Sequence, residues 1–130
     1  MNRWSGSAGI CINDQKEVLM VKSFESEEWA VPSGGVEDGE SPEECCVREC
    51  KEETGYDVKV IEQLQIKETT IKGIQVTTYY FRVDKIGESS GINDPDEIIA
   101  EADWKSLPEL KTIKHAYPED LHLLLEQLEQ

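Results

Sequence analysis

Hydrophobic residues in this chain come in short runs or alternate with polar residues, and many of them are β-branched or aromatic. Alternation with a period of two indicates strands that bury one face, and short apolar runs between turn residues indicate strands that are more fully buried. Turn residues such as Asn13-Asp14-Gln15 separate these runs. The pattern predicts strands at residues 6–13, 17–24, 29–31, 58–67, 74–86 and within 97–107.

Helical signals appear at two places. After a Gly-rich loop, Ser41 is a candidate N-cap, Pro42 suits the first helical position, and Glu44 completes a capping box. Gly55 is typical of the left-handed residue that ends a helix. Near the end of the sequence, leucines recur at helical spacing, which predicts an amphipathic helix over residues 118–129.

The order of these elements indicates the fold class. Strands and helices are mixed along the chain, and no repeat, low-complexity tract or linker divides it. A chain of 130 residues can bury a core of its own as one domain. We therefore expect a single α+β domain over residues 1–130, with a sheet covered by at least two helices.

Composition and the pattern of cysteines indicate the cellular compartment expected for the protein. Hydrophobic residues make up 38% of the chain and charged residues 32%, and no apolar stretch approaches the roughly 20 residues of a membrane span. The first residues contain no apolar segment typical of a secretory signal. Three of the four cysteines crowd between positions 45 and 50, which suits reduced thiols better than disulfides. We expect a cytoplasmic protein without a membrane segment.

The formal net charge of −15 excludes one class of partner. Affinity for long DNA or RNA depends on neutralising phosphates with Lys and Arg, so a surface this acidic disfavours long nucleic acids. A small phosphorylated ligand is still compatible with the charge if cations lie between it and the protein. Monomer and homodimer remain equally open.

Three carboxylates share one face of the helix that follows Ser41. Glu49, Glu52 and Glu53 stand at spacings of three and four, which bring side chains together on a helix. Arg48 can offset part of their repulsion through Glu52, but it cannot serve all of them. A hard divalent cation would resolve the conflict, since Mg²⁺ prefers oxygen ligands and keeps waters and substrate phosphates in its shell.

The surroundings of these carboxylates carry a family resemblance. From Gly34 the sequence reads Gly-x5-Glu-x7-Arg-Glu-Cys-x-Glu-Glu-x-Gly-Tyr. It resembles the Nudix box, Gly-x5-Glu-x7-Arg-Glu-U-x-Glu-Glu-x-Gly-U, in which U is a bulky aliphatic residue, and every fixed position matches over residues 34–56. The two U positions hold Cys50 and Tyr56, which depart from the pattern but can still pack, and Ser33 stands where a glycine is common.

The resemblance implies a fold, a metal and a reaction. The fold would be the Nudix-type α/β/α sandwich, a mixed sheet flanked by helices. The ligands of Mg²⁺ or Mn²⁺ would be the carboxylates of Glu49, Glu52 and Glu53 with the backbone carbonyl of Ser33. Water would attack phosphorus in line while the metal neutralises the charge that develops.

The resemblance also implies supporting roles in the box. Arg48 would orient the glutamates by charge-assisted hydrogen bonds. Glu40 would brace the junction of loop and helix, with Gly34 and Gly55 shaping its two ends.

The identity of the general base is open, because this family recruits it from different places. The box offers Glu52 or Glu49, and the later loop offers Asp96, Glu97, Glu101 and Asp103. We favour Glu52 and take Glu101 as the reserve.

Other residues with chemical potential have plainer interpretations. Cys46 and Cys50 have a spacing that zinc could use, but the further ligands it needs are remote, so they are expected to pack the helix. His115 and His122 are expected to be structural or solvent-facing. Core packing is the better expectation for most of the aromatic candidates for stacking on a base: Trp4, Trp29, Tyr79, Tyr80, Phe81 and Trp104. Candidate phosphate contacts are Arg3, Lys22, Lys67 and Arg82.

Substrate identity is approached by elimination. Features that the resemblance associates with ADP-ribose, dinucleoside polyphosphate and coenzyme A substrates are missing; for example, no proline occurs between Pro42 and Pro95. We therefore expect a MutT-like hydrolase that converts a nucleoside triphosphate to a nucleoside monophosphate and pyrophosphate. The alternatives are another nucleoside diphosphate derivative, the 5′ pyrophosphate of RNA, or a nucleotide-binding module that has lost catalysis.

Overall fold

The computed structural model describes residues 2–130 of the chain. Its strands are β1 (Arg3–Cys11), β2 (Val18–Ser23), β3 (Glu28–Ala30), β4 (Ser33–Gly35), β5 (Asp57–Ile71), β6 (Ile74–Ile86), β7 (Ile99–Lys105) and β8 (Lys114–His115). Its helices are α1 (Pro42–Thr54), α2 (Leu107–Leu110) and α3 (Leu121–Leu128), with a 3₁₀ turn at Pro118–Asp120 before α3.

The strands form two sheets, where the sequence led us to expect one. The first sheet has the order β4-β1-β6-β5 and the second the order β7-β2-β3-β8. Each is mixed, because β1 runs parallel to β6 and β3 runs parallel to β8. The sheets separate at the turn after β1, where the consecutive strands β1 and β2 are linked by a single bridge between Ile12 and Val18.

The core lies on both faces of the first sheet. Side chains alternate across a strand, so Ile10 and Tyr80 join the cluster that packs against α3, whereas Cys11 and Phe81 join the cluster that packs against α1. The two helices therefore cover opposite faces. The predicted α+β sandwich of sheets flanked by helices is confirmed.

Helix α1 has the caps that its sequence predicts. The Ser41 hydroxyl accepts from the Glu44 N–H at 3.1 Å, and the Glu44 carboxylate accepts from the Ser41 N–H at 2.8 Å. Gly55 ends the helix with a φ of 80°. This backbone conformation favours glycine because it has no Cβ. The caps set the register that decides which residues of α1 face the loop before it.

All four cysteines are free and buried. Cys46 and Cys50 pack from α1 against Gly9 of β1, where a Cβ would lie only 2.7 Å from the Cys50 sulfur. The interpretation of these two residues as packing residues is confirmed. Among the helices in residues 2–130, none is long and apolar enough to cross a membrane.

Three short elements have no counterpart in the sequence prediction. Strand β4 falls in what reads as a Gly-rich loop, and glycine carries little strand propensity. It forms because Gly35 pairs with Gly6 of β1, another residue without a side chain. Helix α2 and strand β8 are shorter than the windows in which periodicity can be recognised.

Candidate active site

Arg48 is the centre of a network of charged groups on α1. Its guanidinium donates to Glu49 at 2.8 Å and to Glu52 at 3.1 Å through Nη1, and to Glu40 at 2.7 Å through Nε. Through Nη2 it also donates to the carbonyl of Gly35 at 2.9 Å. One side chain therefore ties the loop before the helix to two of the three carboxylates predicted to bind metal.

Glu40 is the strongest partner of Arg48. The hydrogen bond from the guanidinium lowers the pKa of Glu40 to about 2, and the same bond raises the pKa of Arg48. Both groups therefore stay charged at every physiological pH. This is the bracing geometry that the sequence predicts for Glu40.

Glu53 lies behind this network, with only 8% of its surface exposed. Its Oε1 accepts from the Ser33 N–H at 3.2 Å, and within residues 2–130 it forms no ion pair with Lys or Arg. Burial, and then the negative charge of Glu49, raise the pKa of the Glu53 carboxyl well above its usual value. Two neighbouring buried carboxylates repel each other when both are charged, so a proton or a cation between them would stabilise the pair.

Gly34 permits this arrangement. A Cβ at this position would overlap the carboxyl group of Glu49, so a side chain here would push Glu49 away from strand β4. The glycine therefore lets the Glu49 carboxylate lie directly against the backbone that carries Ser33.

The carboxylates supply the right donors for a hard cation but do not yet surround one point. Within the described part of the chain, no three acidic, Cys or His side chains form a ligand cluster. Glu49 and Glu52 both pair with Arg48 instead. Carboxylate and carbonyl oxygens are nevertheless the donors that Mg²⁺ takes. The surplus negative charge between Glu49 and Glu53 is what a divalent cation would neutralise.

These groups open into a cleft of about 470 Å³. Its acidic lining comprises Glu28, Glu49, Glu53, Asp94 and Asp96. Asp94 was not singled out from the sequence, although the turn-forming run Asn-Asp-Pro-Asp at residues 93–96 is a signal for a loop with a fixed shape.

Asp94 organises this loop and is poorly suited to take up a proton. Its carboxylate accepts from the N–H groups of Asp96, Ile98 and Ile99 at 2.8 to 3.1 Å. Partial burial raises the pKa of Asp94, but these three hydrogen bonds outweigh it and hold the pKa below its usual value. Asp96, two residues on, is exposed and faces the same cleft.

The loop is clamped to the end of α1. The Ser89 hydroxyl donates to the carbonyl of Thr54 at 2.7 Å, and the backbone N–H groups of Ser90 and Asn93 donate to the carbonyls of Gly55 and Glu52 at 2.9 and 2.8 Å. A Cβ on Gly55 would overlap Ser89 and Gly91. Gly55 therefore both ends the helix and makes room for the loop that carries Asp94.

The structure does not bring Glu101 to the cleft. Glu101 pairs with Lys22 across β2 and β7, and their charged groups are 3.5 Å apart. The cleft is lined by Val21 and Ser23, which point to the other face of β2. The later loop thus contributes Asp94 and Asp96 to the cleft, and the carboxylate of Glu101 lies on the opposite side of the sheet.

The two histidines lie away from the carboxylates. A ring nitrogen of His115 lies 2.7 Å from the Leu110 carbonyl oxygen. His122 is exposed and lies 3.6 Å from Glu126 on α3. Their structural or solvent-facing character is as expected.

A second cavity, here called the side cavity, adjoins the cleft and has a volume of about 480 Å³. The two share Val31, Ser33 and Tyr117 as a common wall. The side cavity is mostly apolar, and its far wall carries Trp4 and Lys67. A ligand with a charged end and a flat apolar end could occupy both spaces at once.

Comparison with known proteins agrees with this geometry. The NUDIX domain family model matches residues 4–126. A Caenorhabditis elegans protein with the provisional name nudix hydrolase 1 is 35% identical over 104 residues, which are 78% of this chain and 27% of that protein. A Bacillus subtilis (strain 168) protein with the provisional name 8-oxo-dGTP diphosphatase is 45% identical over 51 residues, which are 39% of this chain and 34% of that protein.

A solved structure extends the likeness to the fold. The NUDIX hydrolase from Nitrosomonas europaea superposes with a TM-score of 0.83 and 22% identity, covering 98% of this chain and 89% of that one. The curated relatives are longer, and their matched segments span about a third of their length or less. With the family model matched over nearly the whole sequence and the carboxylate helix in place, the chain belongs to the NUDIX family.

Proposed function

We propose that this protein hydrolyses a nucleoside triphosphate to a nucleoside monophosphate and pyrophosphate. The observation that carries the proposal is the buried pair Glu49–Glu53, which faces the cleft with two carboxylates but, within residues 2–130, only one cationic partner, the Arg48 that pairs with Glu49. Mg²⁺ or Mn²⁺ would be held by carboxylates of α1 and by the Ser33 carbonyl. When bound, the cation would neutralise diphosphate oxygens and the charge developing on them.

Side chains of the protein carry out the proton transfer and the positioning that the hydrolysis requires. A water molecule attacks one of the two phosphorus atoms beside the α–β bridging oxygen, and the bond from that phosphorus to the bridging oxygen breaks. The water's proton passes to a carboxylate. The bridging oxygen keeps the electrons of the broken bond and leaves as part of the departing phosphate. Arg48, fixed by Glu40 at 2.7 Å, keeps Glu49 and Glu52 aimed while the charges redistribute.

Glu52 remains our choice for the carboxylate that accepts this proton. It lies on the carboxylate face and is less buried than Glu53, so water can reach it. Its carboxylate is paired with Arg48 and does not line the cleft, so it would have to turn away from Arg48 to meet a water molecule there. In reserve we place Asp96, because it faces the cleft and, within residues 2–130, its carboxylate accepts no hydrogen bond from the loop backbone, unlike that of Asp94. Glu101, the reserve chosen from sequence, would first have to leave Lys22 and cross the sheet.

Size and charge favour a small nucleotide as the substrate. The net charge of −15 repels the phosphodiester backbone of a long nucleic acid, while the side cavity beside the cleft offers room for one nucleoside. The provisional name of the Bacillus relative refers to a nucleoside triphosphate, which is in line with this reading.

A panel of substrates tests the proposal. Purified protein with Mg²⁺ would be given the common nucleoside triphosphates, ADP-ribose and a short RNA with a 5′ triphosphate, and products would be separated by anion exchange. We expect monophosphate and pyrophosphate from the triphosphates, and no turnover in excess EDTA. Turnover of ADP-ribose or RNA alone would replace the proposed substrate, and turnover of none of the panel would remove the hydrolase assignment.

A further inference from the structure

The Trp4 indole packs against the backbone of two glycines, Gly6 and Gly35. Gly6 and Gly35 face each other across β1 and β4. A Cβ on Gly6 would overlap the six-membered ring of Trp4, and a Cβ on Gly35 would lie 3.2 Å from its Nε1. The indole therefore rests on two backbones that have no side chains at this point, and its opposite face is free to meet a ligand, since 44% of the residue is exposed.

The strand β4 that supports the Trp4 indole also contacts the charged network around Arg48. Gly35, under the indole, has its carbonyl held by Arg48 at 2.9 Å, and Gly34 lies against the carboxylate of Glu49. Strand β4 thus contacts the Trp4 indole through Gly35 and the Glu49 carboxylate through Gly34. A ring stacked on Trp4 would sit at a fixed offset from phosphates placed over Glu49 and Glu53.

Three charged side chains in the described part of the chain line the side cavity, Lys67, Glu119 and Asp120, and Lys67 is the one that can donate a hydrogen bond to a ligand. Its Nζ lies 3.1 Å from Glu119 and 3.3 Å from Asp120, and it lies over the rings of Tyr80 and Tyr117 at 5.4 and 5.0 Å. These contacts hold the ammonium in one place at the wall of the cavity.

Asp120 is less available than Lys67. The Tyr80 hydroxyl donates to the Asp120 carboxylate and lies 2.8 and 2.9 Å from its two oxygens, and the Asp120 side chain is 8% exposed against 20% for Lys67. The partner of Lys67 on its outer side, Glu119, is 56% exposed and can turn toward water. An ammonium donates hydrogen bonds and cannot accept them, so the wall favours a ligand atom that accepts.

We propose that the side cavity is the base subsite, in which Trp4 stacks on a nucleobase and Lys67 donates to a carbonyl oxygen of that base. The inference rests on the proposed function, since the phosphates of the same nucleotide occupy the cleft. This oxygen is O6 of guanine and hypoxanthine or O4 of uracil; the O2 that uracil and cytosine share does not distinguish the two bases. Adenine and cytosine present an exocyclic amino group in the corresponding position, so two hydrogen-bond donors, this amino group and the Lys67 ammonium, would face each other.

Steady-state kinetics with and without a base test the stacking role. For Trp4→Ala we expect KM for GTP to rise about tenfold or more, since stacking of one base on an aromatic side chain contributes roughly 1–3 kcal/mol. Inorganic tripolyphosphate, which lacks a base, should be hydrolysed equally by both proteins. Trp4→Phe should recover most of the affinity, and Phe24→Ala, at an aromatic residue outside the side cavity with 70% exposure, should match the wild type.

Lys67 is tested by the preference between bases. Wild-type protein should show kcat/KM for GTP and UTP about tenfold above that for ATP and CTP, in line with one hydrogen bond to a charged donor. Lys67→Met should remove the preference, and Lys67→Arg should keep it. Binding of GMP, followed by quenching of tryptophan emission, gives the same comparison without turnover and shows whether each variant is folded and able to bind.

The outcomes separate this inference from the proposed function. Hydrolysis of all triphosphates with unchanged KM in Trp4→Ala would overturn the subsite while leaving the hydrolase intact. Equal kcat/KM for the four bases in the wild type would overturn the role of Lys67. Absence of any hydrolysis by the wild type, with GMP still quenching emission in a Trp4-dependent way, would overturn the proposed reaction and retain the subsite.

Discussion

At the scale of single residues, Glu53 has the most unusual surroundings in the candidate site. Its carboxyl group is buried, it touches a like-charged neighbour, and its hydrogen bond comes from the backbone N–H of Ser33. A carboxylate placed in this way is costly unless something positive joins it. Its value to the protein should therefore appear in activity rather than in stability.

Replacing this carboxylate tests that expectation. Glu53→Gln keeps the shape and removes one anionic ligand; if the ligand contributes about 4 kcal/mol to the transition state, turnover should fall about a thousandfold. The matched control is Glu62→Gln, at an exposed position of β5, which should stay within about twofold of the wild type. Pyrophosphate release at saturating Mg²⁺ measures both, and equal rates in the two variants would contradict the metal-binding role.

The raised pKa of Glu53 also predicts a pH dependence of stability. Above its ordinary value of 4.5 the unfolded chain loses this proton while the metal-free native protein keeps it, so the native state binds more protons and stability falls as pH rises. Between about pH 5 and pH 8 the melting temperature in EDTA should therefore decline more in the wild type than in Glu53→Gln. Parallel curves for the two proteins would show that Glu53 is already ionised.

At the scale of elements, the sequence is most informative where a signal is local. The caps of α1 follow from Ser41, Glu44 and Gly55 themselves, and the bounds predicted for β6 are those of the structure. The shape of the loop after β6 could not be derived in this way. It depends on N–H groups of Ser90 and Asn93 finding carbonyls at the end of α1, a contact between distant parts of the chain that no periodicity reports.

That clamp predicts a graded effect on catalysis. Ser89→Ala removes the hydroxyl that bonds the carbonyl of Thr54 at 2.7 Å and receives the N–H of Gly91 at 3.0 Å. We expect a loss of about 1 kcal/mol in unfolding free energy and a several-fold lower kcat, because Asp94 and Asp96 are held less firmly. Faster amide exchange over residues 88–98 would accompany it.

A conservative variant distinguishes the clamp from a general loss of stability. Ser89→Thr keeps the hydroxyl and should retain most of the wild-type kcat and amide protection. If Ser89→Ala matches the wild type in both measurements, the backbone contacts of Ser90 and Asn93 suffice to hold the loop.

At the scale of the whole molecule, the acidic charge and the candidate site make different demands on cations. A net charge of −15 is screened by any salt, whereas the pair Glu49–Glu53 should respond to a divalent ion in particular. We expect a few millimolar Mg²⁺ or Mn²⁺ to raise the melting temperature beyond NaCl of equal ionic strength, as binding to the native state does. The extra rise should disappear in Glu53→Gln. Equal stabilisation by both salts would indicate screening alone.

The site as a whole could be predicted only where it lies on one element. Helical spacing places Glu49, Glu52 and Glu53 together, and a family resemblance supplies their chemistry. The surface that carries Trp4 arises because β1 and β4 pair at two glycines, and the cleft gains Asp94 only when its loop docks on α1. These are contacts across long stretches of sequence, and they decide which candidates reach the site.

The parallel pairing of β1 with β6 governs the order in which this domain can fold. Residues 3–11 align with residues 75–83 along their whole length, so β1 is synthesised well before the strand with which it pairs. Helix α1 and the β5–β6 hairpin can form early from neighbouring residues. Pairing of β1 with β6 closes a long loop, and the entropy lost in this closure precedes the favourable contacts of the paired strands. A fragment ending at residue 73 should therefore show no protected amides in β1, and refolding of the full chain should be slowed by mutations in β1 such as Ile10→Val. Until that closure, the apolar half of β1 is open to other chains, which makes nascent or stalled copies the most aggregation-prone form of this protein.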